Sequence, residues 1–415
     1  MKWHTVVFAA LVLSLAPGVP SGAPAVAQQQ YVVVNIIPGE EYRPVFEQIQ
    51  ELTKERTSTR VGVGIGAIFS YLNTSRQQCT EDLVSFLSLA ERFDIPVVVQ
   101  LDGEQWWDAR PDLWNWWDQA RPGYDPGNRM NVEWSGWGPE HALKIAWRNW
   151  GSQLRVLPPP NLMSPRYRAA CHDEMRALIP VILRWWKRLP TDRKDLLLGV
   201  KLGWESSIGV NAFYYPNGNA LLGLPESDDP RMELKGEQVP DRGVEAIGYA
   251  AVTTAHLAQS GKLREAHLAE IVGRHLDDLC SLAAKLGVPR TRLFTHVGGW
   301  KEEELLYDTA LNRYSCPGWS FYRHANDPGQ DMGVQRVLRK SNAPYWAAAE
   351  WLLMGKHSPD EWRGALQRTL ADPKCRYVCI YNWSGIMRDR AATGAIQNLL
   401  DVPSASGTDS VKAAH

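Results

Sequence analysis

A (β/α)8 barrel, the TIM-barrel fold of the α/β class, is what the sequence predicts, with long loop insertions after the third and fourth strands. Three observations predict it. Short strand-like runs alternate with stretches of helical spacing, the rhythm of a parallel sheet joined by crossover helices. Eight such runs can be placed between Tyr31 and Trp383. The fourth ends in Glu205 and the seventh in Glu350, at the strand tips where barrels of this kind carry their chemistry.

The first 27 residues read as an export signal rather than as part of the fold. Lys2 and His4 precede an apolar run from Val6 to Leu15, and Ala25-Val26-Ala27 offers a small-x-small cleavage site before Gln28. That run is too short to span a membrane as a mature helix. A secreted or periplasmic chain is therefore expected, with one barrel domain over 28–402 and a disordered tail over 403–415.

Within the domain, Tyr31 to Ile37 is a buried-type strand stopped by Pro38-Gly39, and Val45 to Arg56 has helical spacing. Arg60 to Ile68 alternates glycine with branched residues, as a crowded barrel interior requires. A helix from Thr80 to Phe93 leads to the third strand, Ile95 to Asp102. From Gly103 to about Pro165 the rhythm stops, and nine tryptophans stand among Pro, Gly, Asp and Asn. A segment of that length without regular structure is expected to be a lid or binding loop.

A helix over Arg166 to Leu189 precedes the fourth strand, Leu196 to Glu205. Read with period two, Leu196, Leu198, Val200, Leu202 and Trp204 face the helices, while Leu197, Gly199, Lys201, Gly203 and Glu205 face the barrel interior. After a second insertion, Ser206 to Asp241, come helices over Gly243–Gln259 and Leu263–Leu286. Strands follow at Arg292–Val297, Gly318–Tyr322 and Tyr345–Glu350. Ser358 caps a helix with Pro359 at its first position. Arg376–Trp383 is the last strand and Ala391–Leu400 the last helix.

With 45 basic and 46 acidic side chains, the chain has no electrostatic case for nucleic acid or an anionic membrane. Its 19 tryptophans against 8 phenylalanines point elsewhere. Indole rings near polar residues are the platforms sugars need, because sugar C–H faces stack on rings while hydroxyls seek hydrogen bonds. Six cysteines in an oxidising compartment permit up to three disulfides. Cys375 and Cys379 share a strand face too far apart to bond each other, so any partners come from Cys79, Cys171, Cys280 and Cys316. No phosphate loop, GxSxG or HExxH is present, and Asp125 to Glu133 lacks the spacing of a calcium loop. Neither metal nor cofactor is expected; oligomeric state is left open.

Hydrolysis of a glycosidic bond needs two carboxyl groups around an oxocarbenium-like transition state. Glu205 and Glu350 supply them, Glu205 between Trp204 and Ser206, Glu350 between three alanines and Trp351. Carboxylates ending strands four and seven, with an aromatic ending strand eight, resemble the clan A retaining glycoside hydrolases. The resemblance spans roughly Tyr31 to Leu400 and implies Glu205 as acid/base, Glu350 as nucleophile and Trp383 beneath the sugar. It departs where the clan has Asn before the acid/base; Trp204 stands there, and Asn211 is the alternative partner for the sugar. Asp102, Glu104, Trp106 and Trp107 at the third strand end, His296 and Trp300 at the fifth, and Trp351 and Tyr381 complete the expected carbohydrate-binding set. A barrel that binds carbohydrate without cutting it, or an inverting glycosidase using Asp102 or Glu104, are the alternatives.

Overall fold

A computed structural model of the chain describes residues 29–54, 60–150, 153–209, 212–232, 244–298 and 305–401. Eight parallel strands close into a barrel in sequence order. They are β1 (Gln30–Ile36), β2 (Val61–Ser70), β3 (Val97–Asp102), β4 (Leu197–Ser206), β5 (Leu293–Val297), β6 (Gly318–Phe321), β7 (Trp346–Trp351) and β8 (Cys375–Ile380). The helices around them are α1 (Tyr42–Thr53), α2 (Arg76–Phe93), α3 (Pro165–Arg188), α4 (Glu265–Leu286), α5 (Met332–Lys340), α6 (Pro359–Thr369) and α7 (Arg390–Leu400). No helix among the described residues is long and apolar enough to cross a membrane. The signal segment and the tail lie outside the described residues.

Two apolar layers hold the barrel. The larger lies between strands and helices and includes Ile65, Val99, Val200 and Leu276. The smaller fills the interior with Tyr31, Val33, Val98, Leu198, Phe294 and Tyr377. Each buried aliphatic side chain in these layers stabilises the fold by about 1.5–3 kcal/mol relative to exposure. Glycine in β2 makes the crowding tolerable: a Cβ at Gly64 would stand 2.7 Å from the Pro96 carbonyl oxygen. The cap of α6 is a reciprocal pair, Glu361 N–H donating to Ser358 Oγ at 3.3 Å and Ser358 N–H to Glu361 Oε2 at 2.8 Å.

Several elements differ from the sequence expectation. The helix expected over Gly243–Gln259 shrinks to Tyr249–Thr254, because Gly248 (φ 121°) and His256 (φ 57°) leave the helical region on either side. Conversely, α5 was not anticipated, although Asp331 caps it through Val334 N–H at 3.0 Å. Between β5 and β6 the described residues hold a 3-10 turn, Leu305–Ala310, rather than an α-helix. Strict alternation also fails in β4. Its register against β3 slips near Leu197, so Leu198 joins the interior and Leu197 the outer layer. A similar slip in β8 puts Cys379 inside and Cys375 outside. All six cysteines are free and buried.

The two insertions form one structure above the C-terminal strand ends. Residues Ala146–Asn149 and Gln153–Val156 pair as an antiparallel hairpin, and Trp147 exchanges backbone bonds of 2.9 and 2.8 Å with Phe213 from the second insertion. Beneath them the buried Asp229 carboxylate accepts from Arg155 at 3.1 Å and from the Trp147 indole at 2.8 Å. Removing one partner of so buried a pair leaves the other charge uncompensated. Asp229→Asn is therefore expected to cost about 3–5 kcal/mol of stability, read as an earlier denaturant midpoint; an unchanged midpoint would refute the role given to Asp229.

The tryptophan-rich insertion is mostly its own core rather than an array of platforms. Trp107, Trp114, Trp134 and Trp147 are buried, and Trp116, Trp117 and Trp137 pack against them. Outside the hairpin ladder, backbone carbonyls need other donors. Indole N–H groups supply them: Trp107 to Pro158 O (3.2 Å), Trp114 to Trp107 O (3.1 Å) and Trp134 to Arg129 O (2.7 Å).

Candidate active site

At the C-terminal mouth the structure brings Glu205, Glu350 and His296 together, with one carboxyl oxygen or ring nitrogen of each within 4.8 Å of the others. The two glutamates are 1% and 2% exposed, so nearly all bulk water is excluded. Glu350 stands near the end of β7, after three buried alanines. Glu205 reaches the mouth through backbone breaks: Gly203 has φ 83° and Glu205 itself φ 51°. Non-glycine residues in that region are costly, and such strain clusters at functional sites.

The strained end of β4 is clamped by the turn after β3. Asp102 accepts from Ser70 Oγ (2.9 Å) and from the backbone N–H groups of Glu104 (2.9 Å) and Gln105 (3.1 Å). Gln105 in turn donates to the Trp204 carbonyl. Glu104 accepts from Ser206 Oγ at 2.6 Å and pairs with His275 at 3.2 Å. Both Asp102 and Glu104 are buried and engaged in holding the strand end, instead of standing open as sugar acceptors. Burial, and then the Glu104 charge, raises the Asp102 carboxyl to about 6.

Polar groups converge on Glu350. The Tyr322 hydroxyl donates to its Oε1, the Trp204 side chain is a second donor, and His296 Nε2 lies 3.8 Å from Oε2. Lys201, inside the barrel, donates to the Ala349 carbonyl at 2.7 Å, directly below. Burial first, and the Glu205 charge second, push Glu350 up to about 8, while Lys201, Tyr322 and Trp204 pull it back. Two carboxyls so close and dry titrate as a pair that keeps one proton at neutral pH. Burial and Lys201 hold His296 well below its ordinary value, hence neutral. Its Nε2 meets Ser320 Oγ at 2.9 Å and its Nδ1 faces the Gln100 amide at 3.4 Å. With both ring nitrogens turned to protein partners and donors already aimed at Glu350, the trio is built as a carboxyl pair with support, not as a cation cage.

The remaining expected residues divide. Tyr381 is half-buried near both glutamates, and burial first, then the charges of Glu350 and Glu205, raise its hydroxyl. Trp106 stands edge-on to Trp150 at 5.8 Å, and Trp150 stacks on Trp204 at 5.6 Å. Trp204 was placed on the outer face by alternation; the break at Gly203 turns it to the mouth instead. Trp107 is a core residue against Tyr167, not a platform. Trp351, next to an inward Glu350, necessarily points outward and packs on Trp362. Trp383 begins a short helix, Trp383–Ile386, and donates to Gln48 of α1 at 3.2 Å, so it does not lie beneath a sugar. Asn211 and Trp300 lie outside the described residues. Asp125 caps Gly127, and Asn128 and Asn131 donate to backbone carbonyls, a turn network rather than a calcium loop.

Missed from the sequence were Tyr322, Ser320, Gln100, Arg148 and Trp150. Tyr322 was detectable: it follows Gly318 and Ser320 on the inward period of the sixth strand.

No protein-family model matches the chain, and no curated protein matches it. Among solved structures it is similar to a variant of GH5_18 from Bifidobacterium longum in complex with Manb1-4GlcNAc, at 11% identity and TM-score 0.45 over 90% of this chain and 78% of that one. It is also similar to a mannanase of Bacillus subtilis (9% identity, TM-score 0.41, 88% and 84% of the two chains). A glycoside hydrolase family 5 enzyme from Prevotella bryantii matches at 8% identity and TM-score 0.41, over 90% and 96%. These structures include glycoside hydrolases, the class the sequence resembles. Likenesses this distant assign no activity to this chain.

Proposed function

We propose that the protein is an exported glycoside hydrolase that cleaves O-glycosidic bonds of a poly- or oligosaccharide with retention of configuration. The observation that carries this reading is the Glu205–Glu350 pair, two buried carboxyls at the mouth of a barrel with oxygens within 4.8 Å. Retaining glycosidases hold their carboxyl groups about 5–5.5 Å apart, whereas inverting ones leave roughly 6.5–9.5 Å for a water. Oxygens within 4.8 Å favour the closer of these spacings. Donors gathered on Glu350 favour its anion at the moment of attack, so the shared proton goes to Glu205. Glu205 protonates the leaving oxygen, Glu350 bonds to the anomeric carbon, and Glu205 then takes a proton from the water that releases the sugar.

A binder that cuts nothing has no use for two carboxyls buried at this cost, and Asp102 and Glu104 are occupied in the turn they hold. The test is hydrolysis of a panel of 4-nitrophenyl glycosides and polysaccharides by protein recovered from the exported fraction, its amino terminus expected near Gln28. Early product should have the anomeric configuration of the substrate by proton NMR. Inverted product, or binding without turnover across the panel, would refute the reading.

Tyr322 gives an independent handle. Tyr322→Phe deletes a hydrogen bond to a charged partner, so kcat should fall about 10- to 100-fold. The singly protonated pair is the active form, and activity should decline above pH about 8 as the pair loses the one proton that Glu205 must donate. Without the Tyr322 donor the anion is less favoured, which moves that alkaline limb upward. An unmoved limb would show that Tyr322 does not act on the pair.

A further inference from the structure

We infer that Arg148 and Glu133 form a recognition subsite beside the carboxyl pair, receiving one hydroxyl or hydroxymethyl group of a neutral sugar unit. The inference rests on the glycosidase reading and names what that site selects. Arg148 comes from the hairpin and Glu133 from the loop preceding it. Both line a cavity of about 30 Å³ together with Glu104, Gln105 and Ser207. The cavity lies directly behind the end of β4, since Glu104 holds Ser206 and Gln105 holds Trp204.

Both residues are more than nine-tenths buried, and both carry polar atoms with nothing to bond. Arg148 is 3% exposed and Glu133 fully buried. The Nε and Nη1 atoms of Arg148 and the Oε1 atom of Glu133 have no hydrogen-bond partner. The other oxygen of Glu133 is committed, accepting from the N–H groups of Ala250 (3.2 Å) and Trp134 (3.4 Å). The guanidinium is itself held in place, with its central carbon 5.2 Å from the Trp106 ring and 5.3 Å from the Trp150 ring. Trp150 stacks on Trp204, so the same stack that supports Glu350 fixes Arg148.

Buried donors and acceptors left unpaired are costly, and here a donor and an acceptor border one space. A hydroxyl satisfies both at once, donating to Glu133 and accepting from Arg148. The volume admits a group the size of one water, not a ring. Charge selects against an anionic sugar. Arg148 already faces Asp102, Glu104, Asp108 and Glu205, so a sugar carboxylate or sulfate would enter beside those acids.

The experiment starts from the 4-nitrophenyl glycoside the wild type hydrolyses best and compares its single-deoxy series in wild type, Arg148→Met and Glu133→Gln. Wild type should lose about 10- to 100-fold in kcat/KM at one ring position. Both variants should lose that discrimination at that position while keeping it elsewhere. Full discrimination retained in a variant, or none at any position in wild type, overturns the inference and leaves the cavity to a buried water. Glu133→Gln preserves shape and the backbone contacts, so the test stands if Arg148→Met does not fold. A 4-nitrophenyl uronide cleaved faster than its neutral counterpart overturns the neutral-sugar assignment. If instead Glu350→Gln turns over like wild type, the glycosidase reading fails, since Glu350 does not line the cavity.

Discussion

Glu350→Ala should lower kcat by about 10⁵-fold, the scale on which removal of a covalent nucleophile is felt. The loss follows from position: Glu350 is the carboxyl that shares the cluster with Glu205 at the mouth. The vacated space is bordered by the Tyr322 hydroxyl, which no longer has a carboxylate to serve. Azide fits such a space. Added to the variant with an activated aryl glycoside, it should restore turnover by attacking from the side Glu350 occupied, giving a glycosyl azide of inverted configuration. Product of unchanged configuration would move the nucleophile elsewhere, and full activity without azide would remove Glu350 from the chemistry.

Glu205→Ala should act differently, because a proton donor matters in proportion to how badly the leaving group needs a proton. General acid catalysis contributes roughly 10²–10⁴-fold. Substrates with poor leaving groups should show the larger loss, and dinitrophenyl glycosides should retain their first step, visible as a burst of phenol before slow deglycosylation. Azide should then give the glycosyl azide of retained configuration, since Glu350 still forms the intermediate. Equal losses for good and poor leaving groups would argue that Glu205 holds the site together rather than moving a proton. The two azide products, of opposite configuration, assign the two glutamates without any knowledge of the natural polymer.

Much of this architecture was legible in the residue order. Short apolar runs alternating with helical spacing located all eight strands to within a few residues, and barrel crowding showed in the glycines of β2. The same reading put Glu205 and Glu350 at strand tips, and closure of the barrel then brought the tips of the fourth and seventh strands together. Local signals alone also gave α6, whose Ser358 and Glu361 satisfy each other.

Side-chain roles depended on what closure brought near. Trp107, Trp351 and Trp383 look like Trp106 in sequence, yet they are core residues, because an indole is a platform only where nothing packs on its face. Trp204 crossed from the expected outer face to the mouth because left-handed backbone at Gly203 and Glu205 cancels the alternation that placed it. Asp102 and Glu104 became clamps because donors from Ser70, Ser206 and His275 reached them from distant segments. The sequence by itself determined the barrel and the two carboxylates, since periodicity and strand ends are local. Only the tertiary structure decided which aromatics support the pair, which acids hold the strand, and that Arg148 and Glu133 border one cavity, since each brings together residues the chain keeps apart.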